Sequence, residues 1–280
     1  MDVRHHEVRV VQRNVDRRGG QEYARQTTDH EQRDEPDGVR RYCHIGSGNY
    51  NSRTARTYED VGLLTAAPEI GADLSQLFNY LTGYGRDVRY SKLLVSPHTT
   101  RSGLEKLIRR EIRAAKAGEP AAITMKMNSL ADEAIIDALY RASKAGVQVD
   151  LIVRGICCLV PGVPGLSERI RVRSIVGRYL EHSRIYRFAT GSGPGAPRFL
   201  IGSADLMPRN LDRRVEALVP VVEPHLQARL QEILDVAWAD DVLAWELDRD
   251  GQWTGPAGRG TSDSHVGLQQ IARTRARRRA

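Results

Sequence analysis

Between Leu180 and Asn210 the chain reads LEHSRIYRFATGSGPGAPRFLIGSADLMPRN, and this stretch gathers the side chains best able to do chemistry. Its pattern predicts a strand, a Gly/Pro-rich turn, a second strand from Arg198 to Ile201, and an exit loop. Alternate residues of a strand face the same way, which predicts that His182 and Arg184 share a face. One hairpin later comes Gly202-Ser203-Ala204-Asp205. An imidazole can trade a proton or a phosphoryl group, a guanidinium is a permanent cation for an anionic oxygen, and a turn of small residues lets a phosphate approach the backbone. The combination predicts phosphoryl transfer. A lone histidine is by default a structural one; the weight here comes from the other cations and amides at predicted strand ends. These are Lys126 and Asn128, Arg154 before Gly155, Arg209 and Asn210. Arginine suits the task because its planar fork holds two phosphate oxygens at once.

The elements that must position these groups follow from hydrophobic periodicity. From Thr100 onward helix and strand alternate. Leu104, Leu107, Ile108, Ile112 and Ala115 form a helical stripe ended by Gly118, Glu119 and Pro120, and Ala121–Met127 reads as a strand. Asp132 opens a helix that Gly146 closes, Val147–Val153 is a buried-looking strand, and residues 170–176 form another. Crossovers of this length predict parallel pairing in an α/β sheet, whose ligands collect at the carboxyl ends of the strands. Lys126 to Asn128 and Arg154 stand at two such ends. A last strand is predicted from Val215 to Val222 and a closing amphipathic helix from Pro224 to Ala239, and beyond about Gly255 the apolar pattern fades.

Upstream, residues 1–38 are poor in large apolar residues and predict loop, disorder or at most one frayed strand. Residues 42–51, YCHIGSGNYN, predict a short strand entering a glycine turn, and a helix is expected over 73–85. Gly46-Ser47-Gly48-Asn49 echoes Gly202-Ser203-Ala204-Asp205, which points to two copies of one phosphate-cradling half-site and makes Asn49 a candidate ligand. Tyr58 follows the first turn, where an aromatic ring can stack on a nucleotide base.

The chain has 280 residues, is 40% hydrophobic and 28% charged, and carries a net charge of +7, enough for one large or two modest cores and a balance suited to an anionic partner. No apolar run reaches membrane-spanning length, and the first residues lack the apolar core of a signal peptide. Three cysteines, two of them adjacent as Cys157-Cys158, make neither a disulfide framework nor a zinc pattern, so a reducing cytoplasm is the expected location. Five arginines crowd Arg273–Arg279, read as part of a disordered, solvated basic tail over 254–280.

Taken together, YCHIGSGNYNSRTART, MKMNSLAD, VDLIVRGICCL, VPGLSERIRVRSIVGRYLEHSRIYRF and GSADLMPRNLDRRVE resemble the carboxyl-terminal half of bacterial polyphosphate kinase, the ATP-linked type with a phospholipase D-like catalytic fold, from about Val39 to Trp253. The resemblance implies an α/β fold with a phospholipase D-like mixed sheet flanked by helices. A complete second catalytic domain would cover 91–253, a remnant of the first 39–90. It implies reversible transfer of the terminal phosphate of ATP to polyphosphate, with ATP or ADP, polyphosphate and Mg2+ as ligands, the magnesium ligands lying outside this chain. It places nucleotide or phosphate contacts at Tyr58, Arg154 and His182, makes His182 the second catalytic histidine, and gives His44 a secondary role. In the family the phosphorylated histidine belongs to a His-x-Lys strand upstream of the YCHIGSGN stretch. Here that distance lands near Arg25, in EYARQTTDHEQRD, which has no His-x-Lys; His30 is followed at +2 by Gln32. The expectation is therefore a truncated family member with impaired transfer. A homo-oligomer, or an amino-terminal fragment that complements it, fits as partner.

Two other readings compete. A non-catalytic polyphosphate- or nucleotide-binding fragment would show steep salt dependence without chemistry. A phospholipase D-type phosphodiesterase would need paired His-x-Lys-x4-Asp motifs, whereas this stretch has Arg184 in place of lysine and no aspartate from Tyr186 to Gly191.

Overall fold

The computed structural model describes residues 7–10, 28–36, 38–53, 57–83, 89–256, 258 and 260–279. In chain order the elements are β1 (Glu7–Val10), β2 (Thr28–Glu35), β3 (Gly38–Gly46), β4 (Tyr58–Glu59), β5 (Val61–Thr65), α1 (Pro68–Leu81), β6 (Leu94–Val95), α2 (Thr100–Lys116), β7 (Ala122–Met127), α3 (Glu133–Lys144), β8 (Gln148–Val153), β9 (Ile170–Ile175), β10 (Leu180–Glu181), β11 (Ile185–Gly193), β12 (Ala196–Gly202), a π-helical turn over Arg209–Arg213, β13 (Ala217–Val221), α4 (Pro224–Trp238), β14 (Ala244–Leu247), β15 (Trp253–Thr254) and α5 (Ser264–Arg279).

Nine strands form a mixed sheet in the order β15-β14-β9-β8-β7-β11-β12-β13-β6. Its centre is parallel: β7 lies beside β8, joined by the helical crossover through α3, and β8 lies beside β9, joined by the connection over 154–169. β11 then runs antiparallel to β7, with Ile185 opposite Lys126. That register brings the start of β11 to the edge where β7 and β8 end. The apolar stripe of α2 and the α3 residues Ile135, Ile136, Leu139 and Ala142 pack with Met125, Val149, Leu151 and Tyr186 into the larger core. Asp132 fixes the start of α3 by accepting a hydrogen bond from the Ile135 amide at 3.1 Å.

A second sheet has the order β1-β5-β3-β2. It repeats the far end of the large sheet: the β2–β3 hairpin answers β11–β12, β5 answers β13, and α1 answers α4. The same sequence interval separates Ser47 from Ser203, Asp60 from Glu216, Val61 from Ala217 and Pro68 from Pro224. The hydrogen bonds repeat with it. Ser47 N donates to Val61 O at 2.9 Å and Ser203 N to Ala217 O at 3.1 Å. Val61 N donates to Ser47 Oγ at 3.1 Å and Ala217 N to Ser203 Oγ at 3.3 Å. Ile45, Leu63, Leu74 and Leu77 of the first copy share one core with Ile201, Val219, Leu230 and Ile233 of the second, which locks the copies together. Across their seam β4 pairs in parallel with β10.

Three expectations are corrected. Residues 28–35, expected among unstructured sequence, form a strand paired along its whole length with β3; its residues TDHEQRDE are too polar to show a strand pattern, and backbone pairing supplies the order. The helix expected over 73–85 begins at Pro68, because proline fits the first helical turn, and stops at Leu81. The basic tail contains α5, which is tied down where it begins: the Ser264 amide donates to Asp240 at 2.7 Å, and His265 Nε2 lies 2.9 Å from Glu181. Among the described residues no helix is long and apolar enough to cross a membrane.

Candidate functional site

The candidate groups meet where the carboxyl ends of β7 and β8, the entry to β11 and the exit from β12 face the first copy's glycine turn. His182 lies in the three-residue link between β10 and β11, not within a strand, and its backbone amide donates to Glu59 O at 3.1 Å. Its Nδ1 is 2.9 Å from Asp60 Oδ1, so a carboxylate of the first copy holds an imidazole of the second. Asp60 is fixed in turn by the Ser47 hydroxyl at 2.8 Å. A side chain on Gly48 would collide with Asp60, its Cβ falling 2.6 Å from Oδ2, so the turn needs glycine there. The Tyr58 ring leans on the imidazole with centroids 4.4 Å apart. The His182 side chain keeps 15% of its surface exposed, enough for one edge to meet a ligand. Burial lowers its pKa, and the Arg184 charge beside it acts the same way, more than Asp60 raises it. At neutral pH the ring is uncharged. A proton on Nδ1 directed at Asp60 leaves Nε2 with a lone pair.

Arg184 is in the right place but is not open. Its guanidinium grips Asp205 with two hydrogen bonds of 3.2 and 2.8 Å and donates to Ser47 O at 2.9 Å and His182 O at 3.0 Å. Burial works against both charges, but each partner outweighs it: Arg184 is raised and Asp205 lowered. Arg184 is thus a buried lock that joins the two glycine-serine turns, in place of the expected free cation. Lys126 is likewise withdrawn, its Nζ 2.6 Å from Glu181 and 2.7 Å from Ser183 Oγ. Asn128 takes Arg154 Nε on its side-chain oxygen at 3.0 Å, while its backbone amide donates to Asp205 at 2.8 Å. Arg154 is half-buried, and among the described residues only its Nε is so engaged, which leaves both terminal nitrogens of the fork available beside this cluster.

The remaining candidates divide. Asn49 closes its own turn by accepting from the Asn51 amide at 2.6 Å. Asn210 is buried and donates to Glu216 at 2.8 Å. Arg209 is exposed at the start of the π-helical turn, where no hydrogen bond connects its side chain to the His182 cluster among the described residues. His44 turns toward the Tyr50 hydroxyl and lies over Gly62. His30 has a described backbone in β2, and the positions around Arg25 lie outside the described residues.

Sequence reasoning missed Asp60, Glu181 and His265. The signal for Asp60 was present in the repeat: an acidic residue precedes β5 as Glu216 precedes β13. Glu181 joins Lys126 and His265 directly behind His182. Burial raises its carboxyl, but Lys126 and then His265 overcome this and bring it down to about 2. Magnesium, which the resemblance implies, finds no fitting ligand set: among the described residues no three His, Cys, Asp or Glu side chains gather for a metal, and Asp60 and Asp205 are committed to protein donors.

Comparison with known proteins gives one answer. Residues 93–265 match the family model described as polyphosphate kinase C-terminal domain 2, and residues 29–87 match polyphosphate kinase C-terminal domain 1. The chain is 55% identical over 222 residues to a polyphosphate kinase of Streptomyces coelicolor, covering 79% of this chain and 29% of that protein. It is 58% identical over 222 residues to one of Mycobacterium avium, covering 79% and 30%. The crystal structure of polyphosphate kinase from Porphyromonas gingivalis superposes with a TM-score of 0.78 at 37% identity, over 85% of this chain and 36% of that one. The chain spans about 30% of the length of these curated relatives.

Proposed function

The chain belongs to the polyphosphate kinase family, and from that premise we propose that it binds ATP or ADP and a polyphosphate chain at the His182 site. The reaction this site would serve is reversible transfer of the terminal phosphate of ATP to polyphosphate. One observation carries the reading: a partly exposed imidazole, held by Asp60 across the seam of a structural repeat and flanked by the Tyr58 ring, with the fork of Arg154 linked to it through Asn128, which donates to His182 O at 3.4 Å.

Within this reading each residue has a task. Tyr58 offers a face for the nucleotide base, and Arg154 holds phosphate oxygens with its two terminal nitrogens. Asp60 keeps the His182 proton on Nδ1, so that Nε2 can accept a proton from a reacting group and return it. Arg184, Lys126 and Asn128 hold the frame rather than the ligand. ATP supplies the phosphoryl group.

The covalent step is a different matter. At the repeat interval, the residue that corresponds to His182 is Gln26, and Thr28 corresponds to Arg184. A glutamine amide cannot accept a phosphoryl group, so the transfer is impaired. Gln26 also favours a second reading, a nucleotide- and polyphosphate-binding chain without catalysis. Titration calorimetry and labelling separate the two. ADP binding should weaken about tenfold in Arg154→Ala, as expected for losing charge-assisted hydrogen bonds, and also in Tyr58→Ala. Purified chain given γ-labelled ATP should carry no acid-labile phosphate if the second reading holds, and slow turnover without a stable label under the first. Nucleotide affinity indifferent to both substitutions would overturn the site itself.

A further inference from the structure

From Ser264 to Ala280 the sequence has five arginines and no acidic residue. Unopposed like charges four residues apart, such as Arg273 and Arg277, weaken a helix. α5 forms nonetheless, and its last turns from Ala272 to Arg278 are exposed on every side. Arg275 has an acidic partner, Glu232, at 2.8 and 3.0 Å. Arg273, Arg277 and Arg278 have none among the described residues.

The root of this helix is at the candidate site. His265 Nε2 is 2.9 Å from Glu181, the residue before His182. Gln269 Nε2 donates to the Tyr179 hydroxyl at 2.6 Å, and the His265 and Tyr179 rings lie 5.3 Å apart. Arg178, exposed, sits over the Tyr179 ring at 5.5 Å. Exposed cations therefore run from Arg178, over the ring of Tyr179 at the root of the helix, to the outer turns of α5. A rise of about 1.5 Å per residue sets Arg273 about 6 Å and Arg277 about 12 Å beyond Gln269 along the helix.

We propose that α5 is a rail for a linear polyphosphate chain whose end occupies the His182 site. This rests on the reading of that site and adds to it a second, length-dependent contact. Polyphosphate carries charge on every unit, so it can follow arginines placed around a helix without a fixed register. Single-stranded nucleic acid is a poorer match, because α5 presents no aromatic side chain on which bases could stack.

The test compares long-chain polyphosphate with tripolyphosphate on the whole protein, by fluorescence anisotropy competition across a salt series. The variant is Arg273→Gln/Arg277→Gln/Arg278→Gln, which keeps Arg275 and the His265 root; glutamine preserves helix propensity, and circular dichroism verifies the fold. The unaltered chain should bind the long polymer more tightly than tripolyphosphate. In the triple variant that advantage should vanish, tripolyphosphate affinity should stay the same, and the log–log salt slope for the long polymer should become shallower by about 2. Affinity that does not rise with polymer length, or a triple variant that binds long polymer as well as the unaltered chain, sinks the rail. So does a triple variant that loses only its affinity for a DNA duplex, which would reassign the helix to nucleic acid. Failure of the unaltered chain to bind tripolyphosphate or ADP, with long polymer still held in an Arg273-, Arg277- and Arg278-dependent way, sinks the site reading and leaves the helix standing alone.

Discussion

At the scale of single residues, the charges around His182 serve two purposes that burial alone tells apart. Arg184 and Asp205 are enclosed and matched to each other, so their worth is structural. Removing one member of a buried pair strands the other, and Asp205→Ala should cost about 3–5 kcal/mol in denaturant unfolding, with Arg184→Met/Asp205→Leu much milder. Equal losses in the single and double variants would show that the pair is not what joins the two turns. Arg154 is the contrasting case. With two nitrogens of its fork uncommitted, Arg154→Ala should change stability by under about 0.5 kcal/mol while weakening nucleotide binding about tenfold. His182 itself is partly buried, and that burial lowers its pKa, so folding favours its deprotonated form. The stabilisation it carries is complete above the ordinary value of 6.5 and is lost as pH falls below it, because the unfolded chain then binds the extra proton. Asp60→Asn removes the group that raises the pKa and should push the NMR titration of His182 lower still; an upward shift would contradict the Asp60 contact.

At the scale of elements, α5 depends on a coupled pair with opposite signs. Burial pulls His265 down, but Glu181, with Asp263 and Glu59 behind it, leaves its pKa raised above 6.5. Tyr179 and, through Glu181, Lys126 complete the surroundings. The contribution of His265 is present below 6.5 and lost as pH rises through its folded value; that of Glu181 is present above 4.5 and lost as pH falls toward about 2. The root of α5 should therefore be firmest between those ordinary values. Hydrogen-exchange protection of the α5 amides should fall as pH climbs from about 6 to about 9, and His265→Gln should flatten that fall. Protection that declines identically in both proteins would remove His265 from the account. This root also shows what the sequence could not reveal. The parallel strands β7 to β9, helices α2, α3 and α4, and the hairpin of β11 and β12 were legible, because each carries its own apolar period and its own stops. β2 and α5 were not, since their residues are polar: β2 is ordered by backbone pairing with the neighbouring strand from Gly38 to Ile45, and α5 by partners far along the chain, Asp240, Glu181 and Glu232. Position at a strand end points to Asn128 and Arg154, which are joined to each other and, through Asn128, to the His182 carbonyl. It could not reveal that Arg184 and Lys126 meet carboxylates there, because Asp205 and Glu181 reach them only in three dimensions.

At the scale of the whole molecule, the chain is a repeat in which the two copies are unequally equipped. The first copy contributes Ser47, Asp60 and Tyr58 to the histidine of the second. Reciprocity would have the second copy contribute Ser203 and Glu216 to a histidine of the first, and the interval assigns that place to Gln26. Glu216 is buried, accepts from Asn210 at 2.8 Å, and has its carboxyl pKa raised by that burial. Gln26→His with Thr28→Lys would restore the His-x-Lys spacing. If the missing nucleophile is the sole chemical deficit, this double variant should acquire an acid-labile, base-stable phosphate from γ-labelled ATP where the unaltered chain acquires none. The label should pass to added polyphosphate, and adding Arg154→Ala should slow its formation about tenfold or more through weaker nucleotide binding. Adding Glu216→Gln should slow it as well if the repeat extends to the chemistry. Thr28 is buried, so folding must be verified first by its unfolding midpoint and by ADP binding. A folded double variant that binds ADP yet takes no label would mean that position 26 is not the counterpart of His182 in function, whatever the repeat implies for the fold.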